Sequence, residues 1–228
     1  MDYKIIYNYN RLQNYSKERK VFVLIHIYYC DMKKFEHLFE ECVSLLPEKR
    51  RQKAERIINK NEALLSATAG LMMKEVLNIM EDTMLSYGEH GKPFLEQGPF
   101  FSVSHSRQFS VLAVSENEIG IDIEMHQSPS ERLIERCFTE EEQAFAKLCT
   151  ENFLRIWTAK EAVLKLLGTG FSYSPKKFSV LPLDDPHEIN GRKISFFCGN
   201  ISEAPFTVAF CKNEDFEITE FLPEDLIY

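Results

Sequence analysis

Two short segments of this 228-residue sequence place carboxylates where they could bind a metal ion. Residues 119–124 read IGIDIE, and the alternation predicts a strand that buries the isoleucines and directs Gly120, Asp122 and Glu124 to the other face. The two carboxylates then lie about 7 Å apart along the backbone. A hard divalent cation would offset their repulsion, and Gly120 would leave room for a ligand. The alternative is an ordinary half-exposed strand with acidic residues facing outward.

The second segment, WTAKEAVLK at residues 157–165, has helical spacing. Trp157, Glu161 and Lys165 stand at i, i+4 and i+8, so they share one helical face. Glu161 and Lys165 could be a surface ion pair that contributes about 0.3–0.5 kcal/mol. Alternatively, Glu161 supplies a third carboxylate to the cation while Lys160 and Lys165 face phosphate groups. That arrangement suits magnesium-assisted phosphate transfer.

Two further motifs carry polar groups that suit phosphate binding. Ser104 and His105 stand at the end of a predicted strand, and Lys92 lies in the stiff turn at residues 91–93, GKP. A lone histidine is usually structural, but beside phosphate it would be a hydrogen-bond donor whose charge follows pH. The sequence lacks a P-loop, HExxH, GxSxG and a dinucleotide-type GxGxxG, so the common hydrolase and nucleotide-fold signatures are missing.

The amino-acid composition is that of an ordinary globular protein with an excess of acidic residues. There are 27 Lys and Arg against 35 Asp and Glu, a net charge of −8, which argues against a nucleic-acid binder and against an anionic membrane surface. The six cysteines form no CxxC motif, and we find neither a secretory signal nor an apolar run of membrane-spanning length. We therefore expect reduced thiols and a cytoplasmic protein.

The apolar pattern predicts helices and strands in both halves of the chain. In the first half we predict a strand at residues 21–29, a helix at 35–46, a long helix capped by Asn61, and two strands within 100–115. In the second half, Thr139 and Glu142 predict a capping box, and a helix over 153–167 should end at Gly168. Further strands are predicted at 178–181, 194–198, 206–211 and 216–221.

Taken together, these motifs resemble the Sfp-type 4′-phosphopantetheinyl transferases. That family carries Ile/Val-Gly-Ile/Val-Asp and, some tens of residues later, Trp/Phe-x-x-Lys-Glu-Ser/Ala-x-x-Lys. Residues 119–122 and 157–165 match the two parts, and GKP at 91–93 and SHS at 104–106 precede them. The resemblance is clear over about residues 49–170 and holds only in pattern outside that range.

The resemblance implies an α/β (α+β) protein built as a pseudo-twofold tandem of two similar subdomains, with the active site in the cleft between them. Residues 1–116 would form the half that holds the adenosine and 3′-phosphate of coenzyme A, and residues 117–228 the half with the magnesium ion and the catalytic residues. The implied reaction moves the 4′-phosphopantetheine arm to a serine of an apo acyl, peptidyl or aryl carrier protein and releases 3′,5′-ADP.

The resemblance also implies roles for individual residues. Asp122, Glu124 and Glu161 would bind Mg²⁺, and Glu161 would take the proton from the attacking serine. Lys165 and His105 would stabilise charge on the phosphates, as phosphate transfer requires. Coenzyme A would also be contacted by Ser104 and Lys160.

The adenosine end departs from the family pattern. Family members often carry an arginine in the first long helix, but residues 63–66 here read ALLS. Ser66 could keep a hydroxyl contact, and Arg50, Lys53 or Lys92, followed by Pro93, could supply charge to the 3′-phosphate. This would give a function to the basic cluster at residues 48–60, which is otherwise a solvated helix face. Loss of Lys92 would then mainly raise the KM for coenzyme A.

Carrier proteins are commonly acidic, so the negative net charge of this protein slows their encounter unless docking uses a local basic patch. We expect that patch along residues 131–138, with Arg132 and Arg136, and the resemblance favours a monomer. Two other functions use the same residues: a magnesium-dependent phosphohydrolase, with water as the nucleophile, and a non-catalytic module that binds coenzyme A or carrier proteins.

Overall fold

The structure, a computed structural model, describes residues 24–125, 130–212 and 215–226. Within these residues it contains two four-stranded sheets, a two-stranded hairpin and six α-helices. The predicted mixed α/β class is confirmed. The pseudo-twofold relation between two halves stays a prediction.

The first sheet joins strands from both ends of the described chain. It consists of β1 (Leu24–Asp31), β4 (Phe100–Ser106), β5 (Phe109–Ser115) and β10 (Asp215–Glu220), in the order β10-β1-β5-β4. β1 runs parallel to β10 and antiparallel to β5. The strand pair predicted within residues 100–115 is confirmed, as is the last predicted strand. The first three residues of the strand predicted at 21–29 lie outside the described residues.

The second sheet is antiparallel. It consists of β6 (Ile119–Ile123), β7 (His187–Ile189), β8 (Arg192–Ile201) and β9 (Ala204–Phe210), in the order β6-β9-β8-β7. The predicted strands at 194–198 and 206–211 are confirmed as parts of β8 and β9. The strand predicted at 178–181 is wrong, because the Val180 amide donates to the Glu142 carboxylate and not to a neighbouring strand.

Helices of the first half cover one face of the first sheet. They are α1 (Phe39–Ser44), α2 (Glu48–Arg56) and α3 (Lys60–Leu77), and the hairpin β2 (Ser86–Tyr87) and β3 (Pro93–Phe94) follows them. The helix predicted at 35–46 is split into α1 and a preceding 3₁₀ helix. Asn59, and not Asn61, caps α3, since its side chain accepts hydrogen bonds from the backbone N–H groups of residues 61 and 62.

The second half contributes α4 (Glu131–Cys137), α5 (Glu140–Ala146) and α6 (Thr150–Leu167). The predicted capping box of α5 is present, and α6 ends at Gly168, whose φ of 68° is the left-handed conformation of a helix C-cap. Short 3₁₀ helices lie at Met32–Leu38, Asp82–Met84, Gly170–Ser172, Pro175–Lys177 and Pro223–Leu226.

Three apolar cores hold these layers together. One lies between the first sheet and α1 to α3, and a second surrounds α6. The third joins the two sheets and includes the buried isoleucines of β1 and β6. α6 packs on β6 and β9, so both segments that carry the predicted carboxylates are fixed by the same packing.

The predicted division of the chain at residues 116 and 117 stays a prediction. Contacts cross that boundary at several places among the described residues; for example, β10 completes the first sheet beside β1, and β4 and β5 lie against β6. Among the described helices, we find none that combines the length and the apolar character needed to cross a membrane.

Candidate active site

Gly120 sets how closely α6 lies on β6. A Cβ atom at this position would lie 2.0 Å from the carbonyl oxygen of Ala162 and 2.5 Å from the amide nitrogen of Leu166. The room that we expected for a ligand at Gly120 is therefore taken by the α6 backbone. The expectation of an exposed acidic face is also wrong for Asp122, because all five residues of β6 are buried.

One pocket of about 360 Å³ collects the predicted carboxylates. Trp157, Glu161 and Lys165 follow one another at successive turns of α6, so a single helix face contributes all three. The pocket is lined by Val103, Ser104 and His105 from β4, Asp122 and Glu124 from β6 and the residue after its end, and Trp157, Glu161 and Lys165 from α6. The two sequence segments thus meet in space with His105 beside them.

Asp122 has one satisfied and one unsatisfied carboxylate oxygen. The residue is 4% exposed, and its Oδ1 accepts hydrogen bonds from Ser104 Oγ at 2.7 Å and Lys165 Nζ at 2.6 Å. Its Oδ2 is buried and has no hydrogen-bond partner among the described residues. Because a buried polar atom without a partner costs about 1–3 kcal/mol, and a charged one more, this oxygen indicates a site that accepts a further ligand.

Both of the other carboxylates have a raised pKa. The pKa of Glu161 is raised from 4.5 to about 7, first by burial and then by Asp122 and Glu124, while Lys165 opposes the shift. The pKa of Glu124 is raised by burial and then by Asp122, and hydrogen bonds from Ser106 and Trp157 work in the other direction. Repulsion between three crowded carboxylates is what a bound cation would relieve.

His105 lies at the exposed mouth of the pocket beside positive charge. Desolvation by the pocket walls lowers the pKa of its imidazole below 6.5, and Lys165 and Lys53 lower it further. Lys53 belongs to the basic cluster and lies on α2, and its positive charge adds to that of Lys165 at His105.

The residues fit a hard divalent cation. Among the described residues, no three His, Cys, Asp or Glu side chains stand ready as a metal site, and the Lys165 ammonium lies against Asp122. However, oxygen donors are the ligands that Mg²⁺ prefers, and the unpartnered Oδ2 of Asp122 leaves one such donor open. Asp122, Glu124 and Glu161 are the residues that would hold the ion.

Comparison with known proteins supports the chemistry of this pocket. Residues 118–215 match the 4′-phosphopantetheinyl transferase superfamily, and this range includes β6 and α6. The resemblance to the Sfp-type group that the sequence predicts is confirmed, and the predicted enzyme class is the class of the matched family.

The relatives carry the same name. The 4′-phosphopantetheinyl transferase gsp of Aneurinibacillus migulanus is 31% identical over 144 residues, which are 59% of this chain and 61% of gsp. Sfp of Bacillus subtilis (strain 168) is 29% identical over 62% of this chain and 68% of Sfp. HetI of Nostoc sp. is 35% identical over 38% of this chain and 42% of HetI. The chain thus spans less than two thirds of gsp.

Within the matched range, Lys160 does not reach the pocket. Its side chain is completely buried, its Nζ lies 2.8 Å from Glu142 Oε2, and the same ammonium donates to the carbonyl oxygens of Pro175 and Phe178 at 2.7 Å each. Lys160 follows Ala159 on the core face of α6 and has no free donor for a phosphate. The predicted contact of Lys160 with coenzyme A is therefore wrong.

Lys92 and Arg50 are placed differently from the prediction. The Lys92 ammonium donates to the carbonyl oxygens of Ile119 and Leu166 at 3.1 and 3.3 Å, and burial lowers its pKa to about 8. It ties the β2–β3 hairpin to β6 and to the end of α6, and it does not line the pocket. Arg50 Nη2 donates to Met73 Sδ at 3.4 Å, and its Nε is buried without a partner among the described residues.

The remaining residues that were predicted to contact coenzyme A belong to the first half of the chain. Ser66 lies half-buried in α3 and Pro93 half-buried in β3, and neither lines the pocket. Ser104 is in the pocket, where it donates to Asp122. Lys53 lowers the pKa of His105 as well, though less than Lys165 does.

Two residues that hold predicted site residues were not themselves predicted. At the pocket, Ser106 Oγ donates to Glu124 Oε2 at 2.9 Å; away from the pocket, Glu142 anchors Lys160 in the core. The alternation of Ser102, Ser104 and Ser106 was visible as a signal in the sequence. Glu142 carried no signal beyond its capping box, because its partner lies in another helix.

Proposed function

We propose that this protein transfers the 4′-phosphopantetheine arm of coenzyme A to a serine of an apo carrier protein, of the acyl, peptidyl or aryl type, and releases 3′,5′-ADP. The reaction depends on Mg²⁺. The observation that carries the proposal is the pocket in which Asp122, Glu124, Glu161 and Lys165 meet, with Asp122 Oδ2 unpartnered. The names of the relatives support the same reaction.

The metal belongs at the three carboxylates. Asp122 would hold it through its unpartnered oxygen, and the pKa values of Glu124 and Glu161, both raised by burial and by Asp122, reflect repulsion that a cation removes. When bound, Mg²⁺ neutralises charge on the pyrophosphate oxygens and orients them.

The proton from the serine goes to Glu161. The serine oxygen forms a bond to the β-phosphorus of coenzyme A, and the bond from that phosphorus to the oxygen bridging the two phosphates breaks. 3′,5′-ADP leaves with the electron pair. Glu161 lies in the same pocket as Asp122 and Lys165, and a carboxylate within reach of the serine hydroxyl can take its proton as a general base.

Lys165 and His105 on the other walls would hold the phosphates. Lys165 lies in the pocket at Asp122 and His105 at its mouth, so both can reach oxygens of the pyrophosphate. Lys53, which acts on His105, is our candidate for the 3′-phosphate. Such contacts are strengthened by the low dielectric of a half-buried pocket.

The carrier would dock on α4. Arg132 and Arg136 are exposed there, and Phe138, directly after the helix, contacts Trp157 of the pocket with ring centroids 6.4 Å apart. The exposed Glu131 and Glu135 stand next to these arginines, so Arg132 and Arg136 are local positive charges on a helix that has no net charge. A monomeric, cytoplasmic enzyme without nucleic-acid or membrane partners belongs to the same proposal.

Intact-mass spectrometry tests the function. An apo carrier incubated with the protein, coenzyme A and Mg²⁺ should gain the mass of one phosphopantetheine group. The gain should disappear when EDTA replaces Mg²⁺ and when the carrier serine is changed to alanine. No gain with several carrier types would contradict the proposal.

The same samples separate the alternatives. Release of inorganic phosphate or ADP from coenzyme A without a carrier would indicate the phosphohydrolase. Binding of coenzyme A with neither transfer nor hydrolysis would indicate a non-catalytic module.

A further inference from the structure

The two sheets meet at an edge where side chains replace strand pairing. β4 is the last strand of the first sheet and β6 the last strand of the second. They lie against each other, yet the ladders formed within the described residues pair β4 only with β5 and β6 only with β9. Something other than a backbone ladder must therefore fix β6 against the first sheet.

A stripe of three serines on β4 makes this connection. Ser102, Ser104 and Ser106 stand at alternate positions, so their side chains leave the strand on the same face. Ser102 Oγ accepts a hydrogen bond from the Ile121 amide at 3.1 Å, and Ser104 Oγ donates to Asp122 at 2.7 Å. The stripe ends at Ser106.

Ser106 is the one serine of the stripe that binds both backbone and carboxylate. Its Oγ accepts from the Met125 amide at 3.0 Å and donates to Glu124 Oε2 at 2.9 Å. A hydroxyl has one proton to donate. The Met125 N–H can only donate, so the hydroxyl accepts from it and has its own proton left for the Glu124 carboxylate.

Glu124 needs such a restraint. It follows the last residue of β6, and the described contacts hold its backbone through one hydrogen bond, from its amide to the Pro205 carbonyl oxygen at 3.1 Å. A glutamate side chain has several rotatable bonds, and ordering it costs conformational entropy. A hydroxyl that fixes the carboxylate beforehand lowers that cost when the carboxylate binds an ion.

We infer that Ser106 is a positioning residue that holds the Glu124 carboxylate in place for the divalent cation of the pocket. The inference rests on the proposed function, since it assumes that Glu124 is a metal ligand. Ser106 itself touches neither the metal nor coenzyme A in this assignment.

The test is the affinity for Mn²⁺, as a probe for Mg²⁺, measured by calorimetry on the full protein. Loss of a hydrogen-bond partner of a metal ligand typically costs 10–100-fold in affinity, so Ser106→Ala should weaken Mn²⁺ binding by about tenfold or more. Ser106→Thr keeps the hydroxyl and should restore most of the affinity. Ser102→Ala is the matched control: it also deprives a backbone amide of its acceptor, but it touches no carboxylate and should leave the affinity unchanged.

The outcomes are separable from those of the proposed function. Wild-type affinity in Ser106→Ala, an equal loss in Ser102→Ala, or no Mn²⁺ binding by the wild type would each overturn the role of Ser106. If Ser106→Ala binds Mn²⁺ more weakly while the wild type transfers nothing to any carrier, the role of Ser106 stands and the proposed transfer fails.

Discussion

Helix α6 carries two lysines, each paired with a carboxylate of another element, and the two pairs differ in how completely their hydrogen-bonding groups are satisfied. Lys160 and Glu142 form a pair with no solvent exposure, in which the carboxylate also accepts from the amides of Thr139 and Val180. Lys165 and Asp122 form a pair whose lysine side chain is 29% exposed and whose aspartate keeps an unpartnered oxygen. The first network is complete, so it can hold structure but cannot bind anything more. The second is incomplete, as a binding site must be.

The position on the helix accounts for the difference. The two lysines are five positions apart in the sequence, which places them about 140° apart around the axis of α6. Lys160 therefore faces the core beside Phe178, whose ring centroid lies 4.5 Å from its ammonium, while Lys165 faces the pocket. Adjacent to Glu161 in sequence, Lys160 serves the fold and not the site.

The sharpest contrast is in catalysis. Glu161→Gln should lower kcat for carrier modification by about 10²–10⁴-fold, because it removes the general base, while the free energy of unfolding should not fall. Steady-state kinetics of holo-carrier formation and urea unfolding check the two parts. Gln at position 161 with wild-type kcat would remove Glu161 from the chemistry.

The complete pair predicts a loss of stability. Lys160→Ala leaves Glu142 as an uncompensated buried charge, which should cost about 3–5 kcal/mol of the free energy of unfolding measured in urea. Removing both charges in Lys160→Met/Glu142→Gln should recover part of this. The exposed Lys147 gives the control, since Lys147→Ala should change stability by less than about 0.5 kcal/mol. An equally small effect at Lys160 would contradict a structural role for this pair.

The close packing of α6 on β6 positions both lysines, so loosening it should lower the stability of the protein. Gly120→Ala puts a Cβ atom 2.0 Å from the Ala162 carbonyl oxygen, so the helix must shift, at a cost of about 1–3 kcal/mol or more. In Gly88→Ala the nearest atom is 3.7 Å away, and stability should hardly change. Thermal unfolding of the two variants compares them directly. Equal melting temperatures would show that α6 is not held this closely.

Glu161, in the pocket of the incomplete pair, also predicts how stability depends on pH. Burial, and secondly the charge of Asp122, raise the pKa of Glu161 from 4.5 to about 7, so the folded protein keeps a proton that the unfolded chain releases. This contribution to stability is full below the unfolded pKa and is lost as the pH rises through about 7. Between about pH 5 and pH 8, the melting temperature of the metal-free wild type should fall more than that of Glu161→Gln. Parallel curves would contradict the raised pKa.

Short-range periodicity accounts for most of what the sequence predicted. The alternation in residues 119–124 and the helical spacing of Trp157, Glu161 and Lys165 are local patterns, and each correctly predicted the element that carries it. The meeting of Asp122 and Glu161 in one pocket was an alternative that the residues left open and that the family resemblance favoured.

The errors arose where tertiary contacts decide. The sequence shows Lys160 next to Glu161 but not its partner Glu142, which the fold brings from α5. Gly120 gives no sign in the sequence that a helix backbone will fill its open side. The apolar residues at 178–181 matched a strand pattern, but the Val180 amide finds a carboxylate in place of a neighbouring strand.

The most direct test compares wild type and Asp122→Asn in the intact-mass assay of an apo carrier with coenzyme A and Mg²⁺. Asparagine retains the shape of the side chain but removes the charge that a metal ion requires. We expect the wild type to add one phosphopantetheine group and Asp122→Asn, shown to be folded by its melting curve, to add none in the same time. Conversion by Asp122→Asn at the wild-type rate would show that the pocket around Asp122 is not where transfer occurs.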